Sequence, residues 1–446
     1  MELSAGAKKV IGALEQAGFE AYAVGGCVRD SLLGKKPFDF DVATSAMPEE
    51  MMAVFKNEHV IETGIKHGTI TVLMDGEAVE TTSFRIDGSY FDSRHPEKVE
   101  FTSSLPEDLS RRDFTINALA FNEKNGVIDL FGGISDLEHG IIRCVGEPDR
   151  RFGEDALRIM RALRFAAVLG FEIEGKTADS IRRNRGLLKN ISAERIFSEL
   201  SRLLCGKNAA KILLEHREVF AVLIPELEPL FGFQQRHFRH HLDAFGHTAA
   251  VLESIPPEPV LRFAALLHDI AKPRCFSIDE NGTGHFYGHA QKGAEMAEKI
   301  LSRLKSDNET KKSVCELIRR HQDKFDPEPK AVKRMLRKTG AEGFEHLLLL
   351  MEADEHGKRE EFRFPESGFE KFRKIAAEII EKEECFSLRN LAIGGRELIS
   401  AGIEPGPEMG KILEHLLEEV IEERIPNEEK ALLAEAENFR QHQGRI

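Results

Sequence analysis

Apolar positions along this 446-residue chain change their spacing once, near Arg143. Upstream, short β-like runs at 21–24, 69–74, 78–84 and 116–121 are separated by glycine turns, with Asp75-Gly76 and Gly132-Gly133 as turn signals. From Arg150 onward the period is helical. Leu157, Met160, Leu163 and Phe165, and later Ile196, Leu200, Leu203 and Leu204, recur at three- and four-residue spacing. Residues 1–18 carry polar side chains throughout and read as an amphipathic helix. Neither a solenoid-period repeat nor a low-complexity tract interrupts the pattern. The prediction is an α+β fold: a small mixed head over 1–145, then a long helical body. Further boundaries are expected near 231–239 and 359–366, giving segments 146–235, 236–360 and 361–446.

Composition narrows the class. The length exceeds what one core supports, so two to four domains are expected. No apolar run approaches the roughly 18 residues that cross a bilayer, and 1–18 lacks the apolar centre of a signal peptide. Cys27, Cys144, Cys205, Cys275, Cys315 and Cys385 are scattered without a C-x-x-C pair, which suits reduced thiols in a cytoplasmic protein. The net charge of −14 by itself opposes a polyanionic partner, but it is unevenly spread. Arginines outnumber acids between Arg143 and Lys207, whereas glutamates crowd 378–384 and 414–429. A polyanion is expected at the middle of the chain.

Chemistry concentrates in 21–44, AYAVGGCVRDSLLGKKPFDFDVAT. A strand runs into Gly25-Gly26 and then a helical pattern, a corner where backbone N–H groups can approach a phosphate. Such corners often serve only as turns. Asp39 and Asp41 follow. In an extended strand two residues apart share a face, so both carboxylates would converge, with Phe38, Phe40 and Val42 burying the opposite side. Close carboxylates repel unless a cation joins them, and Mg²⁺ with substrate phosphates fits that need. Glu80 is a candidate third carboxylate.

The run resembles the first motif of the class II tRNA nucleotidyltransferases and bacterial poly(A) polymerases, members of the polymerase-β-like nucleotidyltransferase superfamily. Four further stretches resemble that family's later motifs in order: 111–118 (RRDFTINA), 129–133 (DLFGG), 154–158 (EDALR) and 192–195 (SAER). The resemblance covers about the first half of the chain. It implies a palm-like head with Mg²⁺ held by Asp39 and Asp41, and nucleotide contacts from Gly26, Arg29 and Arg112. It also implies transfer of nucleotides from CTP and ATP to the 3′ end of tRNA, without a template, with release of pyrophosphate.

Asp155 and Arg158 supply a reason for that choice of base. Three apart on a predicted helix, they would share a face. Carboxylate only accepts hydrogen bonds and guanidinium only donates. Cytosine and adenine offer an amino donor beside a ring-nitrogen acceptor; uracil and guanine present the reverse, leaving buried groups mismatched. On spacing alone an ordinary intrahelical ion pair competes with this reading. Arg161 and Arg164 continue the spacing and should meet nucleotide phosphate or neighbouring acids. Segment 82–99 resembles a flexible loop that CC-adding members lack, which favours addition of all of CCA, with A-adding as the alternative. A poly(A) polymerase, with its basic tail, fits this acidic C-terminus less well.

A second constellation comprises His247, His268-Asp269, His289, His321 and Asp354. In order these resemble the HD phosphohydrolase superfamily over about 240–360. The match implies a divalent transition metal or Mg²⁺ on His247, His268, Asp269 and Asp354, with His289 and His321 for a second ion. Hydrolysis by an HD site with a head that merely binds RNA is the remaining alternative. Residues 391–429 resemble the family's tail, implied to hold the tRNA elbow by shape.

Overall fold

The strand-like runs of the first third assemble into one mixed sheet. The computed structural model describes residues 1–87, 99–382 and 384–443. Its strands are β1 (Ala21–Val24), β2 (Asp41–Thr44), β3 (His59–Gly64), β4 (Thr69–Met74), β5 (Glu77–Ser83), β6 (Leu119–Asn122) and β7 (Gly126–Asp129), in the spatial order β3-β4-β5-β2-β1-β6-β7. β1 lies at the centre between β2 and β6, and its short run Ala-Tyr-Ala-Val is wholly buried. β4 alternates buried and half-buried positions, as a strand with one covered face should. β2 and β5 pair in parallel, setting Asp41 directly opposite Glu80. The amphipathic N-terminal pattern forms α1 (Ala5–Gln16), whose Ser4 side chain caps the first turn and whose Ala7, Val10, Ile11 and Leu14 are buried.

Contacts divide the chain into two units. The first takes residues 1–228 with 303–306, and the second the remainder from Pro229. In the first unit the sheet is followed by helices α2 (Pro148–Glu154), α3 (Leu157–Leu169) and α4 (Ala193–Leu204), the elements that the helical spacing predicts. Two short strands, Ile141–Ile142 and Glu172–Ile173, pair across this segment, too brief for the periodicity to register.

The second unit is helical apart from the hairpin of Ser277–Ile278 with Gly284–His285. Its helices include α5 (Ala244–Ser254), α6 (Pro259–Leu267), α7 (His289–Arg303), α8 (Asn308–Arg320) and the long α9 (Pro329–His356), broken at Gly340 by a φ of 73°. The C-terminal part has its own apolar cluster, with Leu398, Ile412, Leu416 and Leu432 fully buried. No described helix is long and apolar enough to cross a membrane.

Candidate functional site

The glycine corner after β1 is built by backbone geometry. Gly25 has φ 76° and ψ −123°, and a Cβ there would stand 2.9 Å from Arg112 Nη1, so only glycine fits. Gly26 opens the short helix Gly26–Leu32, which carries Arg29. Arg29 is buried, donating from Nη1 to Asn117 Oδ1 at 2.7 Å and from Nε to Asp30 Oδ1 at 2.8 Å. Arg112 donates to Asp108 Oδ2 at 3.2 Å, while its Nε is buried without a hydrogen-bond partner. Asp108 lies fully buried; burial pulls its pKa up, but Arg112 and Arg111 outweigh that and hold it below the usual carboxylate range.

The two head aspartates differ from expectation in one respect. Only Asp41 belongs to a strand; Asp39 precedes it in irregular, exposed chain. Phe38 is fully solvent-exposed and buries nothing, so Val42 alone seals the inner side firmly. Strand pairing replaces the expected period-two alignment by bringing Glu80 opposite Asp41. Asp41 remains accessible, yet surrounding protein desolvates its carboxyl, and Glu80 and Asp39 add repulsion, raising its pKa to about 6. Arg112 opposes this only in part. Three oxygen-donor acids with incomplete cationic compensation suit a hard divalent cation, and Asp39, Asp41 and Glu80 are the residues that could hold it. Of 82–99, residues 88–98 lie outside the described residues, including Gly88, Ser89, Tyr90 and Phe91.

Asp155 and Arg158 do not share a helix. α2 ends at Glu154, and Asp155 takes extended geometry (φ −140°, ψ 103°) before α3 begins at Leu157. The three-residue spacing therefore does not form the anticipated ion pair. Asp155 Oδ1 accepts the Leu157 backbone N–H at 3.0 Å, and Oδ2 accepts Arg195 Nη2 at 3.1 Å. Arg158 is buried and donates to Glu154 Oε2 at 2.9 Å and to the Arg111 carbonyl at 2.8 Å. Arg161 and Arg164 meet neighbouring acids: Asp113 at 2.7 Å and Glu199 at 2.5 Å. The guanidinium carbons of Arg29, Arg161 and Arg164 stand 5.0, 5.4 and 4.0 Å from the Phe165 ring centre, within cation–π reach. Burial works against Asp113 ionising, but Arg161 and the Asn117 hydrogen bond prevail and lower its pKa to about 2. Glu154, which gathers Arg150, Arg151 and Arg158, stands with Asp113 and Arg195 inside the quoted motifs but is given no role there, and Asp108 and Glu199 are not singled out at all. The signal was available: acids embedded in an arginine-rich stretch are its natural counter-ions.

In the second unit, His247, His268, Asp269 and Asp354 bring ligand atoms within 4.8 Å of one another, and Asp269 does the same with His289 and His321. All six are buried. His268 and Asp269 follow the end of α6, where the apolar helix Pro259–Leu267 delivers them into the interior. His247 Nε2 lies 2.9 Å from Asp354 Oδ1, and its Nδ1 3.1 Å from the Gly357 carbonyl. His268 and His321 direct Nδ1 to backbone carbonyls at 2.8 and 2.7 Å, which fixes the Nδ1–H tautomer and turns Nε2 inward. Each aspartate has its own lysine: Lys272 Nζ is 2.6 Å from Asp269 and Lys358 Nζ 2.7 Å from Asp354. Burial alone pushes both carboxyl pKa values up, yet the surrounding imidazole and ammonium groups drive them well below the usual carboxylate range. Burial also drives His321 down to about 3, keeping its ring neutral, as a metal ligand must be. Asp269 Oδ1, His289 Nε2 and His321 Nε2 are buried without hydrogen-bond partners, a donor set suited to a transition metal. Cavities of about 630 and 260 Å³ flank this cluster, sharing Arg239, Gln322, Asp354 and Lys358.

Comparison with known proteins adds an independent line. The family described as Poly A polymerase head domain matches residues 21–143, the probable RNA and SrmB-binding site of polymerase A matches 170–231, and tRNA nucleotidyltransferase domain 2 matches 286–436. The CCA-adding enzyme of Lactiplantibacillus plantarum is 35% identical over 96% of this chain and 94% of its own length. That of Pediococcus pentosaceus is 36% identical, covering 96% of each. Among solved structures, the Bacillus stearothermophilus CCA-adding enzyme in complex with CTP superposes with a TM-score of 0.73 at 31% identity, covering 99% of this chain and 98% of that one.

Proposed function

The chain belongs to the family of CCA-adding enzymes, and from that premise we propose that it extends the 3′ end of tRNA with C, C and A. CTP and ATP are the donors, the 3′-hydroxyl attacks the α-phosphate, and pyrophosphate leaves. The observation that carries the reading is the register of β2 against β5, which sets Asp41 opposite Glu80 beside the Gly25-Gly26 corner and Arg112. Mg²⁺ bound there would neutralise the triphosphate and lower the pKa of the attacking hydroxyl. Asp39 and Asp41 would hold that ion, with Glu80 as the third carboxylate. Gly26 N–H, Arg29 and Arg112 receive phosphate oxygens, and the unpartnered Arg112 Nε supports that role. Asp155 accepts the hydrogen bond of the amino group of cytosine or adenine, and Arg158 is the matching donor. Arg161 and Arg164 act through Asp113 and Glu199, stiffening α3, which carries Arg158. A tRNA-directed activity fits the cytoplasm.

The deciding experiment supplies CTP or ATP separately to tRNAs ending before the first C, after one C and after two. Incorporation of C on the first two and A on the third is expected. Addition of A to the third substrate alone would replace the reading with the A-adding alternative.

The six-residue buried cluster supports a second activity in the same chain, metal-dependent hydrolysis of a phosphoester. His247, His268, Asp269 and Asp354 would hold a divalent transition metal and His289 and His321 a second, while Lys272 and Lys358 keep the two carboxylates ionised. Phosphate release from a generic phosphoester in the presence of Ni²⁺, Co²⁺ or Mn²⁺, lost in His268→Ala with nucleotide incorporation retained, is the expected result. Retained release would remove the cluster from the reaction.

A further inference from the structure

The stretch of chain that leads into the head acids presents an aromatic ring wholly to solvent. Phe38 is fully exposed, whereas Phe40, on the other side of Asp39, is partly buried. A ring contributes to a fold only through what it buries, so Phe38 adds nothing to the stability of the head. Its location is nevertheless fixed. Consecutive Cα atoms lie about 3.8 Å apart, so the ring is tethered beside Asp39 in any rotamer. The loop that carries it is held at its start: Gly34 N–H donates to the Ser31 carbonyl at 3.0 Å and Lys35 N–H to the Asp30 carbonyl at 2.9 Å, closing the helix Gly26–Leu32. Pro37 then restricts the backbone just before the ring. Lys35 and Lys36, in the same loop, are exposed.

Resting on the reading of Asp39 and Asp41 as holders of the ion beside the reacting 3′-hydroxyl, we propose that Phe38 is a positioning residue on which the 3′-terminal base of the RNA stacks, with Lys35 and Lys36 taking the backbone phosphates behind it. A single exposed apolar side chain is ordinary on a protein surface; what sets Phe38 apart is its place between two cations and the acids. The reacting hydroxyl and the terminal base belong to one ribose, so the base comes to rest within a nucleotide of those acids. Asp39, Asp41 and Glu80 are all exposed and repel an approaching phosphate backbone, so other groups must grip the RNA end. An aromatic ring with adjacent cations is the usual means, and it tolerates any sequence because every base has a π-face. That tolerance matches the reaction. The terminal base changes after each addition, and a contact that read its hydrogen-bonding edge would favour one step and oppose the next.

The sequence contains no tryptophan, so Phe38→Trp introduces a single indole whose emission reports on this position alone. Adding tRNA that lacks its last C and A, without Mg²⁺ or nucleotide, should quench that emission saturably, and CTP alone should leave it unchanged. Constant emission while a gel shift shows the tRNA bound would overturn the proposal. In steady state, Phe38→Ala should raise KM for tRNA at least about fivefold, the loss of one base–aromatic stack, with KM for CTP within about twofold of the parent. Phe38→Tyr, which keeps the ring, should restore the parent KM for tRNA. A parent-like KM for tRNA in Phe38→Ala overturns the proposal, as does an equal rise for tRNA and CTP that Phe38→Tyr fails to repair. Replacing Lys35 and Lys36 together by Ala should flatten the fall of tRNA affinity with salt by about one unit of logarithmic slope. An unchanged slope removes both lysines from the interface. The underlying reading fails separately. A parent that incorporates neither C nor A sinks the assignment of the acids, whereas an active parent with indifferent Phe38 variants sinks only the present inference.

Discussion

The two acidic centres of this protein solve the same electrostatic problem in opposite ways. In the head, Asp39, Asp41 and Glu80 face solvent with only Arg112 as partial compensation, and repulsion with desolvation raises the Asp41 pKa to about 6. In the second unit, Asp269 and Asp354 are buried, yet each is matched by a lysine and by imidazoles that hold it ionised. A buried charge must be paired before anything binds, because its desolvation cost is present all the time. An exposed carboxylate can wait for its cation, which is suited to a site where the ion arrives with a triphosphate and departs with pyrophosphate. The contrast separates a centre assembled by its substrate from one assembled by folding.

Four outcomes would sharpen or break that contrast. The largest concerns chemistry. Asp41→Ala should reduce incorporation of labelled CTP by about three orders of magnitude or more, since metal-borne charge stabilisation amounts to several kcal/mol. Its thermal midpoint should not fall. The second is the mirror image: Asp354→Ala leaves Lys358 buried beside Glu355 alone and should cost about 3 kcal/mol, read as a lowered urea midpoint, with CTP incorporation by the folded protein retained. A variant as stable as the parent would show that the buried centre is not prepaid after all.

The third is a pH dependence. Because the folded-state pKa of Asp41 lies near 6, above the ordinary value of 3.8, the folded head binds a proton more tightly than the unfolded chain. Its stabilising contribution is complete below about pH 4 and lost as pH rises through about 6. Asp41→Asn should therefore be more stable than the parent above pH 6 and indistinguishable near pH 4. By the same linkage, Mg²⁺ affinity measured by titration should drop about tenfold per pH unit below 6, one proton competing with each ion. A flat affinity between pH 5 and 7 would contradict the raised pKa. The smallest effect is expected at Phe38, whose complete exposure means that Phe38→Ala should change stability by less than about 0.5 kcal/mol. A larger loss would show that the aspartate pair depends on packing that the isolated chain does not display.

Much of the head was legible before any coordinates. The runs at 21–24 and 69–74 became strands with those bounds, since apolar residues with turn signals at both ends leave a short segment few alternatives. The helix over 157–169 followed from its three-and-four spacing. Asp155 escaped the same logic. Nothing in EDALR marks a helix end, and the break arises where Glu154, committed to three arginines, ends one helix and the Asp155 carboxylate accepts the Leu157 N–H that opens the next. The lysine partners of Asp269 and Asp354 lay three and four residues downstream in plain view, but a lysine after a helix end is usually a solvated one, and only burial gives these a purpose.

The sequence alone determined which residue types were available and in what order: the glycine corner, the acids after it, the arginine-rich middle and the spaced histidines. Those features are local, and local chemistry is written in neighbouring residues. Tertiary structure alone decided that Glu80 faces Asp41, that Arg195 and not Arg158 holds Asp155, and that six ligands spread from His247 to Asp354 converge. Each of these depends on strand register, a helix break or the packing of distant helices. Such choices are made by the free energy of the whole fold, which no short stretch of chain encodes.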